Sequence, residues 1–147
     1  MTIHCDIGIV ERLPDGTVSL TIRFDGDISR GQMVKAIEVI DRVAAQPAPL
    51  LVDASLPHSI AFNAMIEMGK AKHVSAVAIY APSAVAKVGA DHLTEFQALS
   101  EGAPYPFRSF ADLQDARRWL RAPVEPLGQQ HQRGRPYPRG VRAAPQL

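Results

Sequence analysis

Two short, wholly apolar segments on either side of a helix-like stretch constrain the fold more than any other feature. Residues 50–52 read LLV and residues 74–81 read VSAVAIYA. Apolar runs of this length are typical of parallel strands that are covered on both faces. Parallel strands need a long crossover connection. Residues 59–72 are therefore predicted to form a helix, with one apolar side made by Phe62, Met65, Ile66 and Gly69.

The N-terminal residues predict a β-hairpin. Residues 3–10, IHCDIGIV, alternate loosely between apolar and polar side chains. Residues 17–24, TVSLTIRF, alternate strictly, and one face carries Val18, Leu20, Ile22 and Phe24. The intervening LPDGT is a turn, because Pro14 fits its first corner and Gly16 can adopt a positive φ.

Helical periodicity returns in three further segments. Residues 29–46 are predicted to form a helix with Ser29 as its N-cap, and two more helices are predicted over 83–100 and 109–122. A short last strand is predicted at 105–108. Strands that alternate with helices indicate the α/β class. We expect a mixed sheet in which the N-terminal hairpin is followed by βα units, with the helices packed on the sheet.

Length and composition predict one folded domain and a tail. The chain has 147 residues, which suits a single domain, and we place that domain at 1–121. Residues 122–147 hold five of the twelve prolines and have no apolar periodicity, so we predict a disordered Pro/Arg-rich tail. The tail carries a formal charge of +3 and the remaining residues carry −2.

Several classes of function are disfavoured by the residues that are present. Cys5 is the only cysteine, which excludes an internal disulfide and fits a reducing compartment. The N-terminus lacks a secretory pattern, and no apolar run is long enough to span a membrane, so we expect a cytoplasmic protein. Nucleic acid is not the expected partner, because the domain ahead of the basic tail is mildly acidic.

Cofactor and metal sites are not predicted either. The stretch FDGDISRG, residues 24–31, matches neither a dinucleotide-binding nor a Walker A glycine pattern. His92 and Glu95 are spaced to share one helix face, but no second pair of ligands completes a metal shell. We therefore expect no cofactor and no metal.

The stretch LLVDASLPHSIAFNAM, residues 50–65, holds the main candidate site. Asp53 ends a predicted parallel strand, which is where ligands and partners meet α/β sheets, although it can equally bond nearby backbone. Ser59 is interpreted first as the N-cap of the helix at 59–72. A phosphorylation site and a nucleophile beside Asp53 and His58 are the alternatives.

The C-terminal part of the domain resembles the STAS and SpoIIAA-like domains. The resemblance rests on AVAIYAPSAVAKVGADHL at 76–93 and on YPFRSFADLQDARRWL at 105–120. The second segment approximates an F-x-D-x-x-x-A-x-x-W-L helix through Phe110, Asp112, Ala116, Trp119 and Leu120. The resemblance extends loosely over residues 5–121 and implies a regulatory or interaction module, not an enzyme.

The resemblance also bears on the serine switch. In STAS antagonists of anti-sigma factors, a serine at the start of the helix after the central strand is phosphorylated, and Ser55 and Ser59 are the corresponding candidates. Those proteins carry an Asp-Ser-Ser-Gly-like run, whereas this chain reads DASLPHSIAF. The chain is more similar to the SpoIIAA-like branch, in which the phosphoserine role is generally absent.

We therefore expect a non-catalytic regulatory or protein-interaction module. Its predicted binding or switch surface comprises Asp53, Ser55, His58, Ser59, Phe62, Ser83 and Val85. Another protein is the expected partner, and a homodimer is an open alternative. Carriage of a small apolar or lipid-like ligand is the second hypothesis, and it predicts an enclosed pocket lined by Phe62, Ile66, Val85 and Val88. A hydrolase that uses Asp53, His58 and Ser59 is the third.

Overall fold

The computed structural model describes residues 1–56, 58–99 and 103–122, which form an α/β domain. The strands are Thr2–Cys5 (β1), Gly8–Arg12 (β2), Val18–Ile22 (β3), Asp27–Ile28 (β4), Ala48–Asp53 (β5), Ser59–Ile60 (β6), Val74–Tyr80 (β7) and Phe107–Phe110 (β8). The helices are Arg30–Ala44 (α1), Phe62–Met68 (α2), Ala84–Leu99 (α3) and Leu113–Arg121 (α4). Within these ranges, no helix is long and apolar enough to cross a membrane.

A mixed six-stranded sheet organises the domain in the order β1-β2-β3-β5-β7-β8. The β1–β2 and β2–β3 pairs are antiparallel, whereas the pairs from β3 to β8 are parallel. Each parallel connection contains a helix, as a crossover requires. The predicted fold class is confirmed: a hairpin region is followed by βα units, and helices pack on the sheet.

Helices cover the sheet on both faces. On one face, buried residues of α1, α2 and α3 pack with the inward side chains of the sheet, including Val10, Leu20, Leu50, Val52, Val77 and Ile79. On the other face, α4 contributes Ala116 and Leu120 to a smaller cluster with Leu51, Ala76 and Ala78. Strands β5 and β7 supply residues to both clusters, which explains why their sequences are apolar without alternation.

The predicted first strand divides into two. Cys5 is paired with Gly8 in an antiparallel ladder, so Asp6 and Ile7 form a tight turn between β1 and β2. Ile7 is fully buried. A Cβ on Gly8 would lie 2.0 Å from the carbonyl oxygen of Thr21, so only glycine allows β2 and β3 to approach this closely.

Helix α1 begins as predicted and ends slightly earlier. The Ser29 hydroxyl accepts a hydrogen bond from the Gln32 N–H (3.2 Å), and the Gln32 side chain accepts one from the Ser29 N–H (3.0 Å). This reciprocal pair is a capping box. The helix ends at Ala44, and Ala45 follows with a φ of 63°.

Helix α2 differs most from the sequence prediction. It covers Phe62–Met68 instead of residues 59–72, and its N-cap is Ala61, which has no side-chain cap. The interpretation of Ser59 as a helix cap is therefore wrong. Ser59 lies in β6, where it pairs in parallel with Asp27 of β4, so its backbone is extended. A pair of two-residue strands that are distant in sequence carries no periodic signal.

The remaining strand boundaries shift by a few residues. Strand β5 extends beyond LLV and includes Pro49, where its register with β7 shifts because proline cannot donate to the ladder. Strand β8 begins at Phe107 instead of residue 105. The disordered tail was predicted over residues 122–147, of which 123–147 lie outside the described ranges. Ser100, the predicted end of the third helix, also lies outside them.

Candidate functional site

A cavity of about 330 Å³ lies between the sheet and helices α1, α2 and α3. Strands β3, β5 and β7 meet it near their C-terminal ends through Leu20, Ile22, Val52 and Ile79. Ligands in α/β sheets bind at these strand ends. The other apolar lining residues come from the three helices and the segment after β5, namely Met33, Ala54, Leu56, Ile60, Met65, Met68, Val85, Ala86, Gly89, Ala90 and Leu93.

The small side chains of α3 leave this space open. Ala86, Gly89 and Ala90 face the cavity, and a Cβ on Gly89 would meet no atom within 4 Å. At the far end of the helix, Phe96 packs edge-to-face on Phe62 of α2, with ring centroids 5.1 Å apart. The two helices therefore touch through Phe62 and Phe96, whereas the small side chains of α3 face the cavity.

Two hydrogen bonds hold α2 in place as the wall of the cavity. The Gln97 side-chain amide donates to the Met65 carbonyl (2.7 Å), and the Tyr105 hydroxyl donates to the Met68 carbonyl (2.7 Å). Tyr105 also accepts from the Ala71 N–H (3.0 Å). Burial raises the pKa of Tyr105 to about 12, which the hydrogen bond from Ala71 only partly opposes.

Helix α3 is tied to the edge of the sheet by a polar cluster. Lys87 donates to Asp91 (2.7 Å) and to Ser109 of β8 (3.1 Å), and Ser109 also donates to Asp91. These hydrogen bonds, led by the one from Lys87, hold the pKa of Asp91 below its ordinary value. The cluster therefore has a structural explanation.

Four polar side chains reach the cavity: His58, Ser59, Ser83 and His92. The Ser59 hydroxyl donates to the Asp27 carboxylate (2.8 Å), which joins β6 to β4 by side chains as well as backbone. Ser83 accepts from the Ala86 N–H (3.0 Å) at the start of α3. Ser59, Ser83 and His92 are exposed and His58 is half-buried, so the polar groups lie at the mouth.

Asp53 and Ser55 bond to each other beside the cavity, and neither belongs to its lining. The Asp53 carboxylate accepts from the Ser55 N–H (3.0 Å) and from the Ser55 hydroxyl. A carboxylate that accepts from the backbone N–H two residues later forms an Asx-turn, which is common for an aspartate at the end of a strand.

Five large apolar side chains are exposed around the cavity, and we call them the apolar rim: Leu56, Phe62, Ile66, Val85 and Val88. Phe62 is 66% exposed, Val85 80% and Val88 71%. The pocket lining predicted from the sequence is largely wrong. Of the four residues expected in it, only Val85 lines the cavity, because Phe62, Ile66 and Val88 point outward.

The arrangement does not assemble a nucleophilic triad. The Ser59 hydroxyl donates to Asp27, and His58 Nδ1 lies 2.8 Å from the Leu56 carbonyl oxygen. A serine nucleophile needs its hydroxyl bonded to the imidazole. In the described part of the chain, no group of three His, Cys, Asp or Glu side chains could hold a metal ion.

Several of the residues that shape this site were not predicted as part of it. Met65 and Leu56 line the cavity, and His92, considered above only as a metal ligand, lies at its mouth. The small-residue stretch PSAVAKVGA was the available signal, because it contains the three small residues of α3 that face the cavity.

Comparison with known proteins supports the fold and no more. No protein-family model matches this sequence, and no curated protein matches it. Among solved structures, the chain is similar to an uncharacterised protein of the DUF3478 family with a SpoIIAA-like fold from Shewanella loihica PV-4. The two are 18% identical with a TM-score of 0.51, over 76% of this chain and 89% of the other. The chain therefore has a SpoIIAA-like fold, as the resemblance of its sequence predicted.

Proposed function

We propose that this chain is a non-catalytic regulatory module that binds another protein through the apolar rim. The observation that carries the proposal is the position of its exposed apolar side chains. Five of the seven large hydrophobic residues exposed in the described ranges belong to the rim, on α2, α3 and the segment after β5. Apolar side chains gathered in this way are typical of a binding surface, whereas scattered ones are ordinary.

Burial of the apolar rim against a partner would be energetically favourable. Burying a valine, leucine, isoleucine or phenylalanine side chain contributes about 1.5–3 kcal/mol. Aromatic anchors commonly dominate such interfaces, and Phe62 stands at the first turn of α2 with most of its ring in water. In this proposal, the predicted surface residues Asp53, Ser55 and Ser59 supply the polar edge that interfaces usually have.

Site-specific photo-crosslinking in the native cells tests the proposal. A photoreactive phenylalanine analogue replaces Val88, which belongs to the rim but does not line the cavity. The matched control carries the analogue at Arg117, an exposed residue of α4 on the opposite face of the sheet. We expect one discrete adduct from position 88 and none of that mass from position 117.

The adduct should also depend on the apolar character of the rim. The additional substitution Phe62→Lys is expected to abolish crosslinking from position 88 while the circular dichroism spectrum is unchanged. An adduct of twice the chain mass would identify a second copy as the partner. Identical adducts from positions 88 and 117, or none from either, would contradict the proposal.

Carriage of a small apolar ligand is the second candidate, and the cavity is the observation that favours it. Its volume of about 330 Å³ lies at the lower end of the range of ligand sites. Deeply buried side chains such as Leu20, Met33 and Ile79 form its inner wall. A neutral fluorescent probe, N-phenylnaphthylamine, should brighten on binding to the purified chain, and an unchanged emission would exclude this candidate.

A further inference from the structure

The cavity combines an apolar interior with a mouth that carries no formal charge on its lining. Of the nineteen described residues that line it, none is Lys, Arg, Asp or Glu. The four polar ones are the two imidazoles and two hydroxyls at the mouth. A charged ligand group would find no ion-pair partner on this lining, and it would lose its hydration on entering the apolar interior, which is costly.

Three carboxylates adjacent to lining residues already accept hydrogen bonds within the chain. Asp27 accepts from Ser59, Asp53 accepts from Ser55, and Asp91 accepts from Lys87. The carboxylates of Asp27 and Asp53 accept these hydrogen bonds from neutral serines and not from a cationic side chain. An anionic ligand would be repelled by them, and a cationic one would have to displace an existing hydrogen bond.

The hydrogen-bonding atoms at the mouth include one donor and one acceptor. Ser83 accepts from the Ala86 N–H, so its own hydroxyl hydrogen can be donated to a ligand. His58 Nδ1 faces the Leu56 carbonyl oxygen, which can only accept, so Nδ1 carries the proton. In the neutral ring, Nε2 is then an acceptor. A hydroxyl is the ligand group that suits either side chain, because it can accept from Ser83 and can donate to His58.

The volume sets the size of the apolar part. An apolar cavity of about 150 Å³ holds one benzene, which has six carbon atoms. The present cavity of about 330 Å³ is roughly twice as large, so it suits on the order of a dozen non-hydrogen atoms.

We infer that the cavity binds an uncharged alcohol with an apolar body of about ten carbons. The apolar body lies against the sheet and helices α2 and α3, and the hydroxyl lies at the mouth, where Ser83 and His58 are the hydrogen-bonding groups offered to it. This inference rests on the second candidate function and names its ligand class. It does not depend on the protein partner of the apolar rim.

A series of competitors with one chain length and different head groups tests the inference. Decanol, decanoate, decylammonium and decyl methyl ether compete with N-phenylnaphthylamine on the full chain at neutral pH. We expect decanol to displace the probe at a concentration at least about tenfold lower than any of the other three, because only its head group is uncharged and both donates and accepts.

Two glycine variants show whether binding occurs in this cavity. Gly89→Leu adds a side chain on its lining, where a Cβ meets no atom within 4 Å, and should weaken decanol binding by about tenfold or more. Gly31→Leu is the matched control, because Gly31 also lies in a helix with open space and is not part of the cavity lining. It should bind decanol like the parent chain.

His58→Phe tests the head-group preference. This variant should still bind N-phenylnaphthylamine, but decanol should no longer displace the probe at a lower concentration than decyl methyl ether does.

The possible failures are distinguishable. Absence of probe binding would reject ligand carriage as a whole. Probe binding with equal displacement by all four competitors, or with decanoate strongest, would overturn the inferred alcohol and leave carriage intact. Unchanged decanol binding by Gly89→Leu would show that the ligand lies elsewhere and would also overturn the inference.

Discussion

Replacing Tyr105 with phenylalanine tests how α2 is held against the rest of the domain. The Tyr105 side chain is only 4% exposed, and its hydroxyl makes two hydrogen bonds. It donates to the Met68 carbonyl at the end of α2 (2.7 Å) and accepts from the Ala71 N–H (3.0 Å). Phenylalanine keeps the ring and removes both bonds.

The expected loss of stability follows from the groups that remain. Met68 and Ala71 are buried, so the carbonyl and the N–H would be left without partners in a place that water does not reach. One unsatisfied buried group costs about 1–3 kcal/mol. We therefore expect Tyr105→Phe to lower the free energy of unfolding by about 2–4 kcal/mol, a large share of the total of about 5–15 kcal/mol for a small domain.

The same hydroxyl predicts a dependence on alkaline pH. Burial raises the pKa of Tyr105 to about 12, above its ordinary value of about 10. Because the folded-state pKa is raised, the stabilisation is complete below about pH 10 and is lost as the pH rises from about 10 to about 12. The loss attributable to this group approaches about 2–3 kcal/mol.

Urea unfolding followed by the fluorescence of Trp119 measures both effects. The free energy of unfolding is compared between the parent chain and Tyr105→Phe at neutral pH and at several values above pH 9. The difference should be largest at neutral pH and should shrink above about pH 10, because only the parent loses this contribution. Tyr80→Phe controls for the loss of one tyrosine. A difference below about 0.5 kcal/mol at neutral pH would refute the assigned role of the hydroxyl.

Substitutions at three further positions should change the urea midpoint in predicted directions. Gly8→Ala is expected to destabilise by about 3 kcal/mol or more, since its Cβ would overlap the Thr21 carbonyl; a folded variant of parental stability would contradict that contact. Ser29→Ala removes the capping box and should cost about 1 kcal/mol, whereas Ser29→Asp should retain most of the stability. Ala45→Gly should stabilise by about 0.5–1 kcal/mol, because a φ of 63° is unfavourable for alanine; a loss of stability would show that the strain is absent.

Local sequence patterns were sufficient for the architecture. The apolar runs of β5 and β7, the alternation in β3 and the Ser29 cap each depend on neighbouring residues, and each predicted its element correctly. Periodicity is a local property, because side chains one turn or two residues apart share a face whatever the rest of the chain does. The order of these elements then limited the fold to a mixed α/β sheet.

The candidate site depended on contacts that no local pattern records. Ser59 stands where the sequence pattern predicts a helix N-cap. In the structure, however, it pairs in a strand with Asp27, which is 32 positions away, and its hydroxyl donates a hydrogen bond to the Asp27 carboxylate. The cavity exists because the small side chains of α3 lie opposite α2. The sheet positions both helices, and hydrogen bonds such as the one from the Tyr105 hydroxyl to the Met68 carbonyl hold α2 in place. The residue types near the site were therefore readable from the sequence, whereas the cavity, its uncharged mouth and its apolar rim arise only when distant segments pack together.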